Sequence, residues 1–364
     1  MAPSGTATID GPLLIQSGNY FRALASGRGR GLWPMWQRCG LWALSVPYGW
    51  ATRLRNRLYD RGWKRSWRAA LPVVSVGNLT VGGTGKTPCV EYVARYYRQR
   101  GRRVAILSRG YGSHSGRNDE ALVLEENLPG VPHLQGADRV ALAASAFEEL
   151  QSEVLVLDDG FQHRRLARDL DIVLIDAIEP WGHEWLFPRG LLREPPWELR
   201  RAGLVMLTRC DQVTADERLR LRKATCRFAP GVPVVETTHR PVELINADRQ
   251  SAPLELLAAR PVAAFCGIGN PEAFRRTLQS LGASIRAFRI YPDHHVYARK
   301  DMEDLRKWSR QLDGDALVLT TQKDLVKLRR TRIAGRELWA LRIQLQVEAG
   351  EEALDRELRK VVSG

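Results

Sequence analysis

Lys86 and Thr87 close the segment VVSVGNLTVGGTGKTP, residues 73 to 88, in which a β-branched run breaks into a glycine-rich loop. A lysine and a hydroxyl at the end of such a loop suit a chain that holds nucleotide phosphates. The strand delivers the loop, the glycines let backbone N–H groups approach phosphate oxygens, and the next helix offers its positive N-terminal end. Lys86 is then placed to reach the β- and γ-phosphates and Thr87 to hold Mg²⁺. The spacing G-x-x-x-x-G-K-[ST] asks for glycine at position 80, where this chain has Thr80. Gly82, Gly83 and Gly85, with Thr84 before the last of them, are expected to supply the missing freedom. An apolar stripe at Val90, Val93, Ala94 and Tyr97 predicts the helix that this chemistry needs.

Glu153 to Asp159 is an apolar strand ending in two carboxylates, the arrangement that sets Mg²⁺ against bound phosphates. Asp158 and Asp159 are therefore metal candidates, although a strand-end aspartate equally serves as a turn or helix cap. The run continues Gly160-Phe161-Gln162-His163-Arg164-Arg165, and His163 is a candidate to stabilise phosphate charge or orient a ligand. Tyr291-Pro292-Asp293-His294-His295 gathers a carboxylate and imidazoles on an expected loop. No other His or Cys has metal-ligand spacing there, so a histidine that orients a carboxylate base across a cleft is the better reading. Thr321-Gln322-Lys323-Asp324 and Thr208-Arg209-Cys210-Asp211 each follow a strand and resemble the T/N-K-x-D element that reads guanine. They make a P-loop GTPase or metallochaperone-like NTPase the alternative, one that prefers GTP and needs no acceptor.

To position these groups the chain alternates apolar strands with helical patterns: residues 72–76, 104–108, 154–157, 172–175 and 204–207. That alternation predicts an α/β fold, a P-loop NTPase-like, doubly wound, mainly parallel sheet. Functional groups then belong at the carboxyl ends of its strands, where the phosphate loop, Ser108-Arg109-Gly110-Tyr111, Asp158-Asp159 and Asp176 all fall. A second, smaller α/β unit is expected to begin near Pro261, with strands at 262–266 and 316–320. Residues 234–238 and 338–343 are expected to pair as a two-strand hinge. The expected division is 1–68 for basic, Trp-rich helices attached to the first domain, 69–236 for the core and 237–364 for the smaller domain.

With 364 residues, 44% of them apolar, the chain can bury two cores, which excludes a disordered or fibrous class. Five scattered cysteines without C-x-x-C spacing suggest neither disulfides nor zinc and fit a reducing cytosol. A net charge of +14 admits acidic partners. From Arg22 to Arg68 eleven basic residues face a single acid, Asp60, and alternate with Trp33, Trp36, Trp42, Trp50, Trp63 and Trp67. Arginine with tryptophan suits a lipid headgroup interface, and the competing expectation is two helices packing their aromatic stripes on the protein's own core. The apolar stretch from Cys39 to Ala51 contains Pro47 and is too short to span a bilayer, and no secretory signal is legible at the N-terminus. No nucleic-acid module is recognisable, so nucleic acid is not an expected partner.

Taken in order, SVGNLTVGGTGKTP, LSRGYG, LDDGFQHRRLARD, RGLLRE, FCGIGNP, YPDHHVY and TQKDLVKL resemble the motifs of the tetraacyldisaccharide 4′-kinase, or lipid A 4′-kinase, family over nearly the whole chain. The resemblance implies transfer of the ATP γ-phosphate, with Mg²⁺, to the 4′-hydroxyl of tetraacyldisaccharide 1-phosphate, giving lipid IVA. It implies a monomer held peripherally at the cytoplasmic face of the inner membrane by the Trp-rich segment. Lys86 and Thr87 inherit the phosphate-loop roles, Asp158 and Asp159 the strand-end carboxylates, and His163 the histidine of DDGFQH. The family's catalytic aspartate lies in G-D-E-P, for which this chain has Asn118-Asp119-Glu120-Ala121, so Asp119 takes that role with both flanks replaced. His294 inherits its histidine partner, the two meeting when the domains close. Arg193 matches an arginine that neutralises charge on the transferred phosphoryl group, and Arg109 and Arg139 are candidates for acceptor contacts.

Overall fold

The computed structural model describes residues 20–21, 24–27, 31–110, 118–312 and 314–363. Residues 1–19, Arg22, Arg28, Arg30 and Tyr111 lie outside them.

Seven of the expected strands form within two residues of their predicted ends, whereas the two hinge strands run seven and six residues past theirs, to Ile245 and Ala349, and among the described residues four strands that were not expected join them. In chain order these are β1 (Val73–Asn78), β2 (Val104–Ser108), β3 (His133–Gln135), β4 (Val154–Asp158), β5 (Leu170–Asp176), β6 (Leu204–Thr208), β7 (Val234–Ile245), β8 (Ser251–Ala252), β9 (Val262–Cys266), β10 (Ile285–Ile290), β11 (Leu317–Thr321), β12 (Arg332–Ile333) and β13 (Arg336–Ala349). They join one sheet ordered β10-β9-β11-β13-β7-β6-β5-β1-β4-β2-β3, with β8 and β12 pairing at its margins. β1, β4 and β9 are fully buried runs, as strands covered on both faces must be. The α/β class and the mainly parallel, doubly wound sheet are thus as predicted.

Two parallel blocks meet at one antiparallel seam, where β7 pairs with β13 from Glu236 opposite Ala349 to Ile245 opposite Ala340. β6 ends against Glu236 of β7, while β11 ends against Leu341 of β13, which lies opposite Leu244. The carboxyl ends of the two blocks therefore point toward each other along the ribbon. The gap from Glu236 to Leu244 is roughly 25 Å at ~3.3 Å per residue. This offset makes the cleft. After the seam the chain returns to the first block, for Leu354 and Leu358 of its last helix (Glu351–Ser363) sit in the core around β1, and the Tyr97 hydroxyl donates to the Leu358 carbonyl at 2.8 Å.

The N-terminal segment departs from both of its expectations of architecture. Instead of two helices, Leu32–Asp60 is one 29-residue helix, α1, that runs through Pro47. Its tryptophans do not pack on the core: Trp33, Trp36 and Trp50 are each about 70% exposed. The buried face is Ser45, Gly49, Thr52 and Asn56, spaced as one helical stripe. The face packs closely, and a Cβ on Gly49 would stand 2.9 Å from the Leu186 Cδ1 methyl, which would have to shift. The helix thus turns its polar, compact face inward and its large apolar side chains outward. No helix among the described residues is long and apolar enough to cross a membrane.

Candidate active site

The phosphate loop does not need glycine at position 80, because Thr80 is already in β-pairing with Leu192. The Val81 N–H donates to the Leu191 carbonyl and the Arg193 N–H to the Leu79 carbonyl, both at 2.7 Å. The unusual backbone falls instead at Gly82 (φ 128°) and Gly85 (φ 89°), while Gly83 keeps an ordinary negative φ and contributes no left-handed turn. Thr84 is buried and braced on two sides: the Asn78 amide donates to its hydroxyl at 2.9 Å and the Thr208 hydroxyl to its carbonyl at 2.9 Å. Arg209 donates to the Gly83 carbonyl at 2.8 Å and pairs with Asp176. Lys86 and Thr87 then open the helix Lys86–Gln99, α2, so both sit where its N-terminal N–H groups converge.

Around Lys86 lie the strand-end carboxylates. Asp159, at φ 53°, is 3.7 Å from Lys86 Nζ and accepts from Arg193 Nη1 at 2.8 and 2.9 Å. Burial pushes its pKa up, but Lys86, Arg193 and Arg139 outweigh burial and hold it below the usual carboxylate range. Asp158 behaves oppositely: burial, against the pull of Lys86, raises it to about 6, helped by the neighbouring charges of Asp159 and Glu120. Its Oδ1 is buried without a hydrogen-bond partner, a feature that a cation beside Thr87 would satisfy. Arg139 is buried and its Nη2 donates to the Asp158 carbonyl at 3.4 Å, whereas Arg109 is exposed.

His163 is half-buried with Nε2 unpartnered, and its pKa is lowered to about 4 by burial and by Arg139, Arg168 and Arg165. It is neutral at pH 7, so it can orient a ligand but brings no positive charge to a phosphate.

Asp119 opens the helix Asp119–Asn127, α3, whose cap is Asn118: its side chain accepts from the Ala121 N–H at 2.9 Å. Asn118 holds an ordinary extended backbone (φ −88°), so replacing the family's glycine costs no strain here. Asp119 Oδ2 lies 3.1 Å from His294 Nδ1. The expectation that the domains must close before these two meet is therefore corrected, because the seam offset already brings the loop after β10 to the start of α3. Burial raises the Asp119 pKa, but the His294 hydrogen bond and Lys327 prevail and lower it. The same hydrogen bond raises His294.

Three groups on the helix Gln322–Leu328, α9, were not singled out by sequence as members of this centre. Lys323 pairs with Glu120 at 2.6 Å, Lys327 with Asp119 at 3.2 Å, and Gln322 donates to Glu126 at 3.0 Å and Asn127 at 2.7 Å. Thr321-Gln322-Lys323-Asp324 is thus occupied within the protein: Asp324 is wholly buried and accepts from the Gly267 N–H and the Tyr297 and Thr321 hydroxyls. It has no face free to read a base. The clue available was its spacing, Lys323 and Lys327 falling on one helical face.

A strand, glycine loop and Lys-Thr helix start, a second strand ending in Asp-Asp, and an aspartate–histidine pair facing them across a cleft define a P-loop kinase. Residues 37–363 match the family Tetraacyldisaccharide-1-P 4′-kinase. A tetraacyldisaccharide 4′-kinase from Anaeromyxobacter dehalogenans (strain 2CP-C) is 44% identical over 85% of this chain and 87% of its own length. Another, from Anaeromyxobacter sp. (strain Fw109-5), is 40% identical over 98% of this chain and 93% of its own. The crystal structure of LpxK from Aquifex aeolicus, solved in complex with ATP, matches with a TM-score of 0.72 and 33% identity over 90% of this chain and 99% of that one. The chain belongs to the tetraacyldisaccharide-1-P 4′-kinase family.

Proposed function

We propose that the chain transfers the γ-phosphate of ATP to the 4′-hydroxyl of tetraacyldisaccharide 1-phosphate, yielding lipid IVA. The observation that carries this reading is the Asp119–His294 pair at 3.1 Å, a carboxylate of the first block completed by a histidine of the second. A hydrolase that merely activates water has no need of a second block to complete its base.

In this reading Lys86 and the N-terminus of α2 bind the phosphates, and Arg193, steadied by Asp159, neutralises charge on the transferred group. Thr87 and Asp158, with Asp159, would hold Mg²⁺, which when bound supplies further neutralisation of the phosphates. Asp119 accepts the acceptor hydroxyl's proton while His294 holds the carboxylate in place. Arg139 and Arg109 are proposed to meet the acceptor. The second unit, on the far side of the β7/β13 seam, carries His294 and supplies the other wall of the acceptor site. The outward tryptophans of α1 support a peripheral seat on the cytoplasmic face of the inner membrane, where the acyl chains reside.

The test is transfer of labelled γ-phosphate from ATP to tetraacyldisaccharide 1-phosphate in mixed micelles with Mg²⁺, beside Lys86→Ala. Product that disappears with Lys86 supports the reading. A nucleotide-binding protein that forms no product, or prefers GTP, overturns it.

A further inference from the structure

Lys327 is an ammonium buried to 10% side-chain exposure and shared between two carboxylates: Asp119 Oδ2 at 3.2 Å and Asp324 Oδ1 at 3.3 Å. We propose that Lys327 is a positioning residue for phosphoryl transfer, tying the reactive carboxylate of Asp119 to a fixed anchor in the second block. The proposal rests on Asp119 being the base.

Asp324 is that anchor. It is wholly buried, and three donors hold it: the Gly267 N–H at 3.0 Å, the Tyr297 hydroxyl at 3.0 Å and the Thr321 hydroxyl at 2.6 Å. The Tyr297 ring lies 5.6 Å from Lys327 Nζ, adding a cation–π contact. A carboxylate pinned this way cannot follow a moving lysine, so the lysine and Asp119 must follow it.

The α3–α9 contact already has glue without Lys327, namely Lys323 with Glu120 and Gln322 with Asn127 and Glu126. Lys327 differs because it touches the reacting group. His294 by a hydrogen bond and Lys327 by an ion pair both face Oδ2, which leaves Oδ1 outside either contact. Oδ1 is then the oxygen that takes the hydroxyl proton.

The charged neighbours set the sign of the effect. Asp119 faces Glu120 on its own helix, His294 and Asp293 on the loop after β10, and Lys323, Lys327 and Asp324 on α9. Removing one cation from this group stabilises the protonated form of the Asp119–His294 pair, so its acid limb must move to higher pH.

The experiment compares turnover against pH for the full-length enzyme, Lys327→Met, Lys327→Arg, Asp119→Asn and the Asp119→Asn/Lys327→Met double variant, with melting temperatures. Lys327→Met is expected to lower kcat roughly 10-fold or more, leave the KM for ATP within about twofold and raise the acid limb by about half a pH unit or more. Lys327→Arg keeps the acid limb at its native pH even if its larger head slows turnover, and it decides the matter should the Met variant unfold. The double variant is expected to be no slower than Asp119→Asn alone. A native acid limb and rate in Lys327→Met beside an inert Asp119→Asn overturns the lysine's role alone. Losses that multiply in the double variant, or an acid limb that moves equally in the Met and Arg variants, also overturn it. Normal turnover in Asp119→Asn removes the base, and the proposal with it.

Discussion

The Lys86, Asp159 and Arg193 centre and the Asp119, His294 and Lys327 centre are built on different scales. The first takes all its groups from one parallel block, where β1, β4 and the segment pairing along Thr80 and Leu192 converge. The second takes one carboxylate from that block and both cations from the other, across the antiparallel β7/β13 seam. The phosphate end is thus braced by backbone pairing, while the acceptor end is held by charges between two packed helices and a loop. A site divided this way keeps its base on the nucleotide-binding half and takes from the second half the cations that hold that base in place.

The strongest test of that division uses one variant on each side. Lys86→Ala and Asp119→Ala are each expected to lower turnover at least about 100-fold, through loss of a phosphate clamp and of a base. They should separate in binding: nucleotide affinity falls in Lys86→Ala and stays within about threefold of native in Asp119→Ala, as titration of each variant with ATP would read. Equal loss of ATP affinity in both would break the comparison.

A smaller effect, about tenfold per pH unit on the acid side, belongs to the second centre alone. Against burial, the His294 hydrogen bond and Lys327 hold the Asp119 carboxyl below its ordinary range, so the base stays ionised and activity is lost only as the pH falls through that lowered pKa. Replacing Asp119 with Asn removes that titrating carboxylate, and the residual activity should lose this acid limb. ATP binding, governed by the first centre, should not follow that limb. A shared limb for binding and turnover would argue that the two centres titrate as one.

Outside both centres, α1 leans on the segment that carries Arg193: the Tyr48 hydroxyl donates to the Arg193 carbonyl at 2.9 Å, and Arg55 and Asn56 reach the wholly buried Glu194. Its outward Trp33, Trp36 and Trp50 are expected to contribute membrane affinity only. Changing all three to Ser should weaken partitioning to anionic vesicles by about 30-fold, equivalent to ~2 kcal/mol, while turnover on a micellar acceptor stays within about threefold. A sedimentation assay with vesicles reads the first quantity. If turnover in micelles falls as far as partitioning does, α1 serves the chemistry as well as the surface.

What the sequence disclosed follows the same division. Lys86 and Thr87 at a helix start, and Asp158 and Asp159 at a strand end, follow apolar runs and glycines that are local signals, and they came out where spacing put them. His294 stood out locally as a histidine suited to orient a carboxylate, but Asp119 and the pairing of the two were recoverable only through family motifs, because nothing local links positions 175 residues apart. Lys327 stayed hidden, since its significance depends on how far β7 and β13 slide past each other before the second block begins. In sequence alone the aromatic stripe of α1 stays open between a lipid interface and the core for a related reason. Composition shows that tryptophans cluster, but only the burial of Ser45, Gly49, Thr52 and Asn56 shows which face the protein keeps.

The smallest expected effect concerns the one place where this chain departs from its family next to the base. Asn118 caps α3, and Gln135 in turn donates to its side chain at 3.1 Å. Asn118→Ala removes that acceptor and should cost about 1 kcal/mol, whereas Asn118→Gly, the family residue, should cost only a few tenths. Chemical denaturation resolves the difference, with the ordering Asn, then Gly, then Ala. If the glycine variant were the least stable of the three, the cap would not be what holds Asp119 at the start of its helix. The backbone freedom of glycine would then outweigh the cap, since Ala and Gly alike remove the Oδ1 that Ala121 and Gln135 reach.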